Sequence, residues 1–339
     1  MFSIFGNGKK CIECCYCAKV MRIAPNAVKC ECGKQDNPLF YMQDYAIAKP
    51  LHIPLVGWSS VGKTVWLLSV TRRLRELSAS VWDSFVATPA NDRTMEFFRE
   101  VEAAPGKVLP RGTQLEDSKA YIVLLKEMPL WGSRTLVVRD VPGEMFNEFT
   151  IPAKYEELVR FLKNSRSAIF MFSVADLKKN AAGHSMEQLL HGYMNTLMKQ
   201  GVELRKERRK LVIVLTKADL LQKEVPKHLL NYVRTDPIAL AINGPSRKSK
   251  MNFAAMSEYV KAMTCMSDEI RDWVATRPDG KSFINEAKSQ NIELRFSMVS
   301  CLDGQSEGDG AMGTFWEPYR VLDPLFWGLE FHSTKAERL

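Results

Sequence analysis

From about residue 50 onward, short apolar runs alternate with longer amphipathic segments. That alternation predicts a mostly parallel β-sheet with helices on its faces. The expected strands are His52 to Val56, Ala120 to Leu125, Thr135 to Val138, Ala168 to Val174, Leu211 to Leu215 and Ile292 to Val299. Ala168 to Val174 is strongly apolar, as a strand buried on both faces should be. Pro54 sits awkwardly in the first strand, because it has no N–H for the ladder. Helices are expected over Lys63 to Leu77, with Val65, Leu68 and Leu77 toward the sheet, and over Ile151 to Lys163 and Met186 to Gln200. Tyr259 to Trp273 also places its apolar residues at helical spacing. The first forty or so residues differ. They lack helical periodicity and are rich in Cys, Lys and Gly, and Met42 to Pro50 reads as a linker.

The chain has 339 residues, which suggests about two domains. With 46% hydrophobic and 25% charged residues, it can bury a sizeable core without disulfides. No apolar run is long enough to span a bilayer. The net charge of +8 is concentrated partly in two runs, Arg205 to Lys210 and Arg247 to Lys250. Such runs attract phosphate backbones or acidic lipids. The plainer expectation is a solvated helix end and a polar loop.

Six of the eight cysteines fall between Cys11 and Cys32. No secretory signal precedes them, so a reducing cytoplasm is expected, where metal binding is favoured over disulfides. Cys14-x2-Cys17 and Cys30-x-Cys32 are twelve residues apart. Four thiolates at that spacing can wrap a tetrahedral Zn²⁺. Ala18 and Gly33 follow the pairs and let N–H groups approach the sulfurs. Cys11 and Cys15 are spare, and Cys11-x2-Cys14 is an alternative first pair. A closed set of four points to structural zinc, whose removal unfolds the module and leaves the function of the remaining chain largely intact.

Gly57-Trp58-Ser59-Ser60-Val61-Gly62-Lys63-Thr64 matches G-x-x-x-x-G-K-[ST] in full, between an apolar run and a helix. Such a loop must curl so that successive N–H groups, those of Ser59, Ser60 and Val61 among them, point at phosphates. The helix that follows turns its N-terminus to the same charge. Lys63 reaches the β- and γ-phosphates, and Thr64 offers a hydroxyl to Mg²⁺. Asp140-Val141-Pro142-Gly143 then matches D-x-x-G, with Asp140 on Mg²⁺ through water and the Gly143 N–H at the γ-phosphate. Thr216-Lys217-Ala218-Asp219 matches [NT]-K-x-D. The Asp219 carboxylate accepts from the N1–H and 2-amino group of guanine, and adenine offers neither. The Lys217 stem lies over the base, and Thr replaces the commoner Asn. Ser300-Cys301-Leu302 closes the last strand where a backbone N–H meets the guanine oxygen.

In this order, GWSSVGKT, DVPG, TKAD and SCL resemble the Ras-like, translation-factor-related GTPases over residue 50 to the C-terminus. The resemblance implies a mostly parallel six-stranded sheet with one antiparallel edge strand, flanked by helices, and a switch between GTP and GDP. Asp140 stands 83 positions after Gly57, and Ser300 stands 84 after Thr216. Both gaps exceed a minimal member, so helical insertions are expected around 79–110 and 225–285. The organisation expected is a zinc-ribbon module over 1–45 and a GTPase domain over 46–339. The zinc module, the D-x-P-G-E motif and Asp323-Pro324-Leu325-Phe326-Trp327 together resemble bacterial double-GTPase proteins of conflict systems.

The resemblance also implies switch residues. Thr113 takes the place of the hydroxyl that joins Mg²⁺ in the triphosphate state. Arg111 is placed to act as a finger in cis, worth about 10³ to 10⁵ in rate when well positioned. Glu144 stands where many relatives have the Gln that orients water. The leading expectation is therefore a cytoplasmic, Mg²⁺-dependent GTPase switch that signals to a protein effector or regulator, or pairs with another GTPase, with antiviral defence as its setting. The alternatives are a nucleotide-binding scaffold with negligible hydrolysis and a GTP-gated nucleic-acid binder that docks through its zinc ribbon.

Overall fold

The computed structural model describes residues 11–22, 30–32, 37–104, 120–147, 155–175, 177, 185–218, 225–244, 251–302 and 316–332. A two-stranded ribbon, β1 (Cys11–Glu13) and β2 (Val20–Arg22), opens the chain, followed by α1 (Leu39–Asp44). The central sheet then comprises β3 (Lys49–Gly57), β4 (Val86–Pro89), β5 (Tyr121–Met128), β6 (Gly132–Pro142), β7 (Ser167–Ser173), β8 (Arg209–Thr216) and β9 (Ile292–Met298). Its strand order is β4-β5-β6-β3-β7-β8-β9. Only β5 runs against the others, being antiparallel to both β4 and β6. The mainly parallel α/β sheet expected from the sequence is present, with seven strands rather than six. The additional strand, β4, comes from the 79–110 stretch and takes the edge, so the antiparallel strand lies one place inside it. Pro54 opposes Arg139 of β6, and the ladder with β7 is registered at Leu55 and Val56, after the proline.

The helices follow from side-chain caps and amphipathic spacing. They are α2 (Lys63–Ser80), α3 (Asp92–Ala103), α4 (Glu156–Asn164), α5 (Met186–Lys199), α6 (Lys227–Arg234), α7 (Pro237–Asn243), α8 (Phe253–Ala275), α9 (Pro278–Ser289) and α10 (Asp323–His332). Asn91, Ser185, Asp236 and Asn252 each accept an N–H of the first turn of α3, α5, α7 and α8. Each such cap contributes about 1 kcal/mol. The segment Asp323 to Trp327 opens α10, which is buried over this whole stretch. Asp323 accepts from Tyr232 Oη at 2.6 Å and from Tyr259 Oη, and Arg320 stacks on both rings. Burial pushes the Asp323 carboxyl up to about 6 against the pull of Arg320 and the two phenols.

Alternation along β5 and β6 divides the core. Tyr121, Val123, Leu125, Leu136 and Val138 join the main core, which contains α2 and α10. Ile122 and Val137 turn to the opposite face, where they meet Ile12, Cys14, Cys15, Cys17, Cys30, Tyr41 and Phe161 of α4. The N-terminal module therefore packs against one face of the same sheet whose other face carries α2, as the period of two requires.

Candidate functional site

Parallel strands bring their C-terminal ends to one edge of the sheet. In open α/β sheets ligands bind in the crevice at that edge, where strand order reverses. Here β3 lies between β6 and β7, and Gly57 is in register with Pro142. The loop that follows β3 therefore starts beside the D-x-x-G turn. Ser173 is in register with Thr216, and Leu215 with Met298, so the remaining loops come up at the same edge.

Two glycines shape the phosphate loop. A Cβ on Gly57 would lie 2.9 Å from Met171 O and 3.0 Å from Val61 Cγ2. Gly62 has φ 98°, a left-handed conformation that side chains resist, and it leads directly into α2. Ser60 is also left-handed, with φ 65°, the kind of local strain a phosphate-cradling nest stores. Lys63 and Thr64 occupy the first turn of α2. Lys63 Nζ donates to Gly57 O at 2.5 Å and to Trp58 O at 3.2 Å, and lies 3.6 Å from Asp140 Oδ1.

Asp140 Oδ1 is buried with no hydrogen-bond donor on it. Burial raises the Asp140 carboxyl above its ordinary value, Lys63 pulls it back, and Glu144 pushes it up further. A carboxylate oxygen at this edge with no hydrogen-bond donor on it fits a hard divalent cation or its bound water. Gly143 begins a 3₁₀ turn that runs to Asn147 and packs against the Trp58 ring. Glu144 Oε1 accepts from the Ser59 N–H at 2.7 Å. Burial would raise the Glu144 carboxyl, but hydrogen bonds from its own N–H and from Ser59, with the charge of Lys63, hold it below the usual range.

Thr216 ties the end of β8 to the phosphate loop: its hydroxyl donates to Val61 O at 2.6 Å, with Phe172 O 3.2 Å away. Lys217 follows with φ 59°, and the Ala218 N–H reaches Val299 O at 3.4 Å. Ser300 pairs its backbone with Tyr319, and its hydroxyl donates to Leu302 O at 2.7 Å, so the Ser300–Cys301 corner is braced by the C-terminal segment. Asp219, Arg111 and Thr113 lie outside the described residues, as does Gly33.

The structure brings Cys14, Cys17, Cys30 and Cys32 together, their sulfurs all within 4.8 Å of one another. Cys17 and Cys30 Sγ are 3.7 Å apart, and Cys14 and Cys32 Sγ are 3.9 Å apart. A tetrahedral zinc with bonds of about 2.3 Å holds its sulfurs about 3.8 Å apart, so the donor set fits. The interaction between the Cys14 and Cys17 sulfurs lowers the Cys14 thiol to about 5 and raises that of Cys17. Cys11 is exposed, and Cys15 is buried outside the cluster. Of the two first pairs open in the sequence, the one with Cys14 and Cys17 is assembled.

Arg139 had no role in the sequence reading. Its guanidinium donates to Tyr16 O, inside the Cys14–Cys17 knuckle, and to Glu157 Oε1 of α4, each at 2.5 Å. Asn164 of α4 donates to Cys17 O at 2.8 Å. A charged residue directly before Asp140 in an apolar strand was the available signal, since the two must face opposite sides of the sheet.

The basic run at 205–210 meets intramolecular partners. Lys206 pairs with Glu203, Arg208 with Glu293, and Arg209 is buried against the carbonyls of Leu162, Lys163 and Ser165 at the end of α4. Among the described residues, no helix is long and apolar enough to cross a membrane.

A family model described as Double-GTPase 2 matches residues 51–274. No curated protein matches the chain. Two solved structures from Chaetomium thermophilum are similar. One is the signal recognition particle receptor SRb-GTP/SRX complex, with 14% identity, 76% of this chain and 91% of that chain covered, and a TM-score of 0.33. The other is the signal recognition particle receptor SRb-GDP-Mg, with 13% identity, 85% and 98% covered, and a TM-score of 0.31.

Proposed function

The chain belongs to the Double-GTPase 2 family, and we propose that it is a Mg²⁺-dependent switch that binds GTP at the sheet edge and hydrolyses it to GDP. One observation carries this reading: Gly57 to Thr64, Asp140 to Gly143 and Thr216 converge at a single edge, with Thr216 bonded to the phosphate loop. Loop N–H groups and Lys63 hold the phosphates, Thr64, Thr113 and Asp140 hold Mg²⁺, and Asp219 with Lys217 and the Ser300–Cys301 corner reads guanine. A Mg²⁺ held there would supply positive charge against the phosphate oxygens. Glu144 orients the attacking water, and Arg111 supports the developing charge. The cysteine cluster carries a structural Zn²⁺. The switch signals to a protein partner, with defence as the setting, and the compartment is the cytoplasm.

Binding of labelled GTP, GDP and ATP, with and without Mg²⁺, tests this reading. Guanine nucleotides are expected to bind and ATP not. Equal binding of ATP refutes the base assignment. Steady-state hydrolysis separates this reading from a second, a nucleotide-binding scaffold with negligible turnover. The second is favoured by the negative charge of Glu144 beside the loop, which opposes a γ-phosphate.

A further inference from the structure

The phosphate loop already holds an anion supplied by the chain itself. Glu144 Oε1 takes the N–H of Ser59, the third residue of the loop. Lys63 is drawn to the same place, bonded to the carbonyls of Gly57 and Trp58. The carboxylate is not on a loose arm. Met145, the next residue, is fully buried. Gly143 abuts the Trp58 ring on one side of the turn. On the other side, Phe146 fits against Gly192 of α5 so closely that a Cβ there would lie 2.3 Å from Phe146 Cβ. The turn from 143 to 147 is therefore wedged between the phosphate loop and α5, and it sets the Glu144 carboxylate over the loop.

We propose that Glu144 sets the preference between nucleoside di- and triphosphates, by occupying a loop N–H that a γ-phosphate must displace or share. The reasoning is electrostatic. Phosphates nearest the N-terminus of α2 meet the helix dipole and Lys63 first. The terminal phosphate of a triphosphate would reach further from α2, toward the D-x-x-G turn, where Glu144 on the Ser59 N–H and Asp140 beside Lys63 already present two carboxylates. A diphosphate stops short of them. Like charges a few ångströms apart in a partly buried site repel strongly enough to shift affinity on the order of tenfold. The chain is thus biased toward the diphosphate form, and anything that draws Glu144 off Ser59 admits the triphosphate.

This proposal rests on the phosphate-loop reading, and its test separates the two. Isothermal titration measures GDP and GTPγS binding, in Mg²⁺, to the full chain and to Glu144→Gln and Glu144→Ala. Gln keeps an oxygen for the Ser59 N–H and loses the charge, and Ala loses both. Glu144 is half-buried, so both variants are expected to fold, and thermal melting checks this. The expected result is that GTPγS affinity rises about tenfold in both variants while GDP affinity changes less than about threefold. If both nucleotides bind and their ratio is the same in wild type and variants, the role of Glu144 is refuted and the phosphate loop stands. If neither binds the wild type, the phosphate-loop reading fails and this proposal fails with it.

Discussion

Replacing Arg139 with methionine tests how firmly the cysteine module is joined to the nucleotide-binding sheet. The side chain is 3% exposed and its partner Glu157 13%, with 2.5 Å between the charged atoms. Methionine fills much of the arginine stem but takes from the largely buried Glu157 carboxylate the guanidinium bonded to it. Removing one partner of a buried pair costs about 3 to 5 kcal/mol, because the remaining charge is stranded. The Tyr16 carbonyl loses the Arg139 hydrogen bond as well, which falls within the same range. Domains of this kind are stable by only about 5 to 15 kcal/mol, so the loss is a large fraction of the total. Urea unfolding followed by tryptophan fluorescence measures it. The paired variant, Arg139→Met with Glu157→Leu, removes both charges and is expected to cost less than about 2 kcal/mol, since an apolar pair of similar volume replaces a buried ion pair at little penalty. A cost below about 1 kcal/mol for Arg139→Met, or a paired variant as unstable as the sum of its parts, refutes the claim that this pair is a buried clamp.

Four further outcomes are expected. Lys63→Ala weakens GTP binding by roughly 10²-fold, the worth of a charge-assisted phosphate contact, as read by equilibrium titration; unchanged affinity would falsify the loop assignment. Asp219→Asn moves preference from guanine toward xanthine, which carries an oxygen where guanine has its 2-amino group, and competition between GTP and XTP reads the change. Metal analysis of protein purified without chelators finds about one zinc per chain, and chelation unfolds the knuckle and loosens α4, lowering nucleotide affinity through Arg139 next to Asp140. Arg111→Ala slows single-turnover GTP hydrolysis while GTP affinity holds; a wild-type rate in that variant moves the search for the finger to a partner.

The expectation that metal removal spares the nucleotide site came from treating the first 45 residues as a separate module. The structure alters that expectation. Val137 and Arg139 lie on the face of β6 that carries the cysteine knuckle, while Val138 joins the main core and Asp140 meets Lys63 on the nucleotide side. A strand of period two carries both sets at adjacent positions, and linear spacing does not reveal which module covers which face.

What the sequence determined by itself was local. A loop of the form GWSSVGKT needs glycines at two backbone positions and a lysine opening a helix, and all of these are neighbours in the chain. Strongly apolar segments such as Ala168 to Val174 announce a buried strand for the same reason. The pairs Cys14–Cys17 and Cys30–Cys32 are also short-range patterns. Tertiary structure decided whatever depended on partners far along the chain. β4 is four residues of alternating exposure with no apolar run, and it is a strand because β5 offers a ladder. β6 extends from Gly132 to Pro142, past the expected Thr135 to Val138, because β3 offers a ladder from Arg134 to Pro142 and the polar residues beyond Val138 find distant partners: Arg139 at Tyr16 O and Asp140 at Lys63. Glu144 and Ser59 are 85 positions apart, and only the packing of the 3₁₀ turn between Trp58 and Gly192 places one carboxylate on one loop N–H.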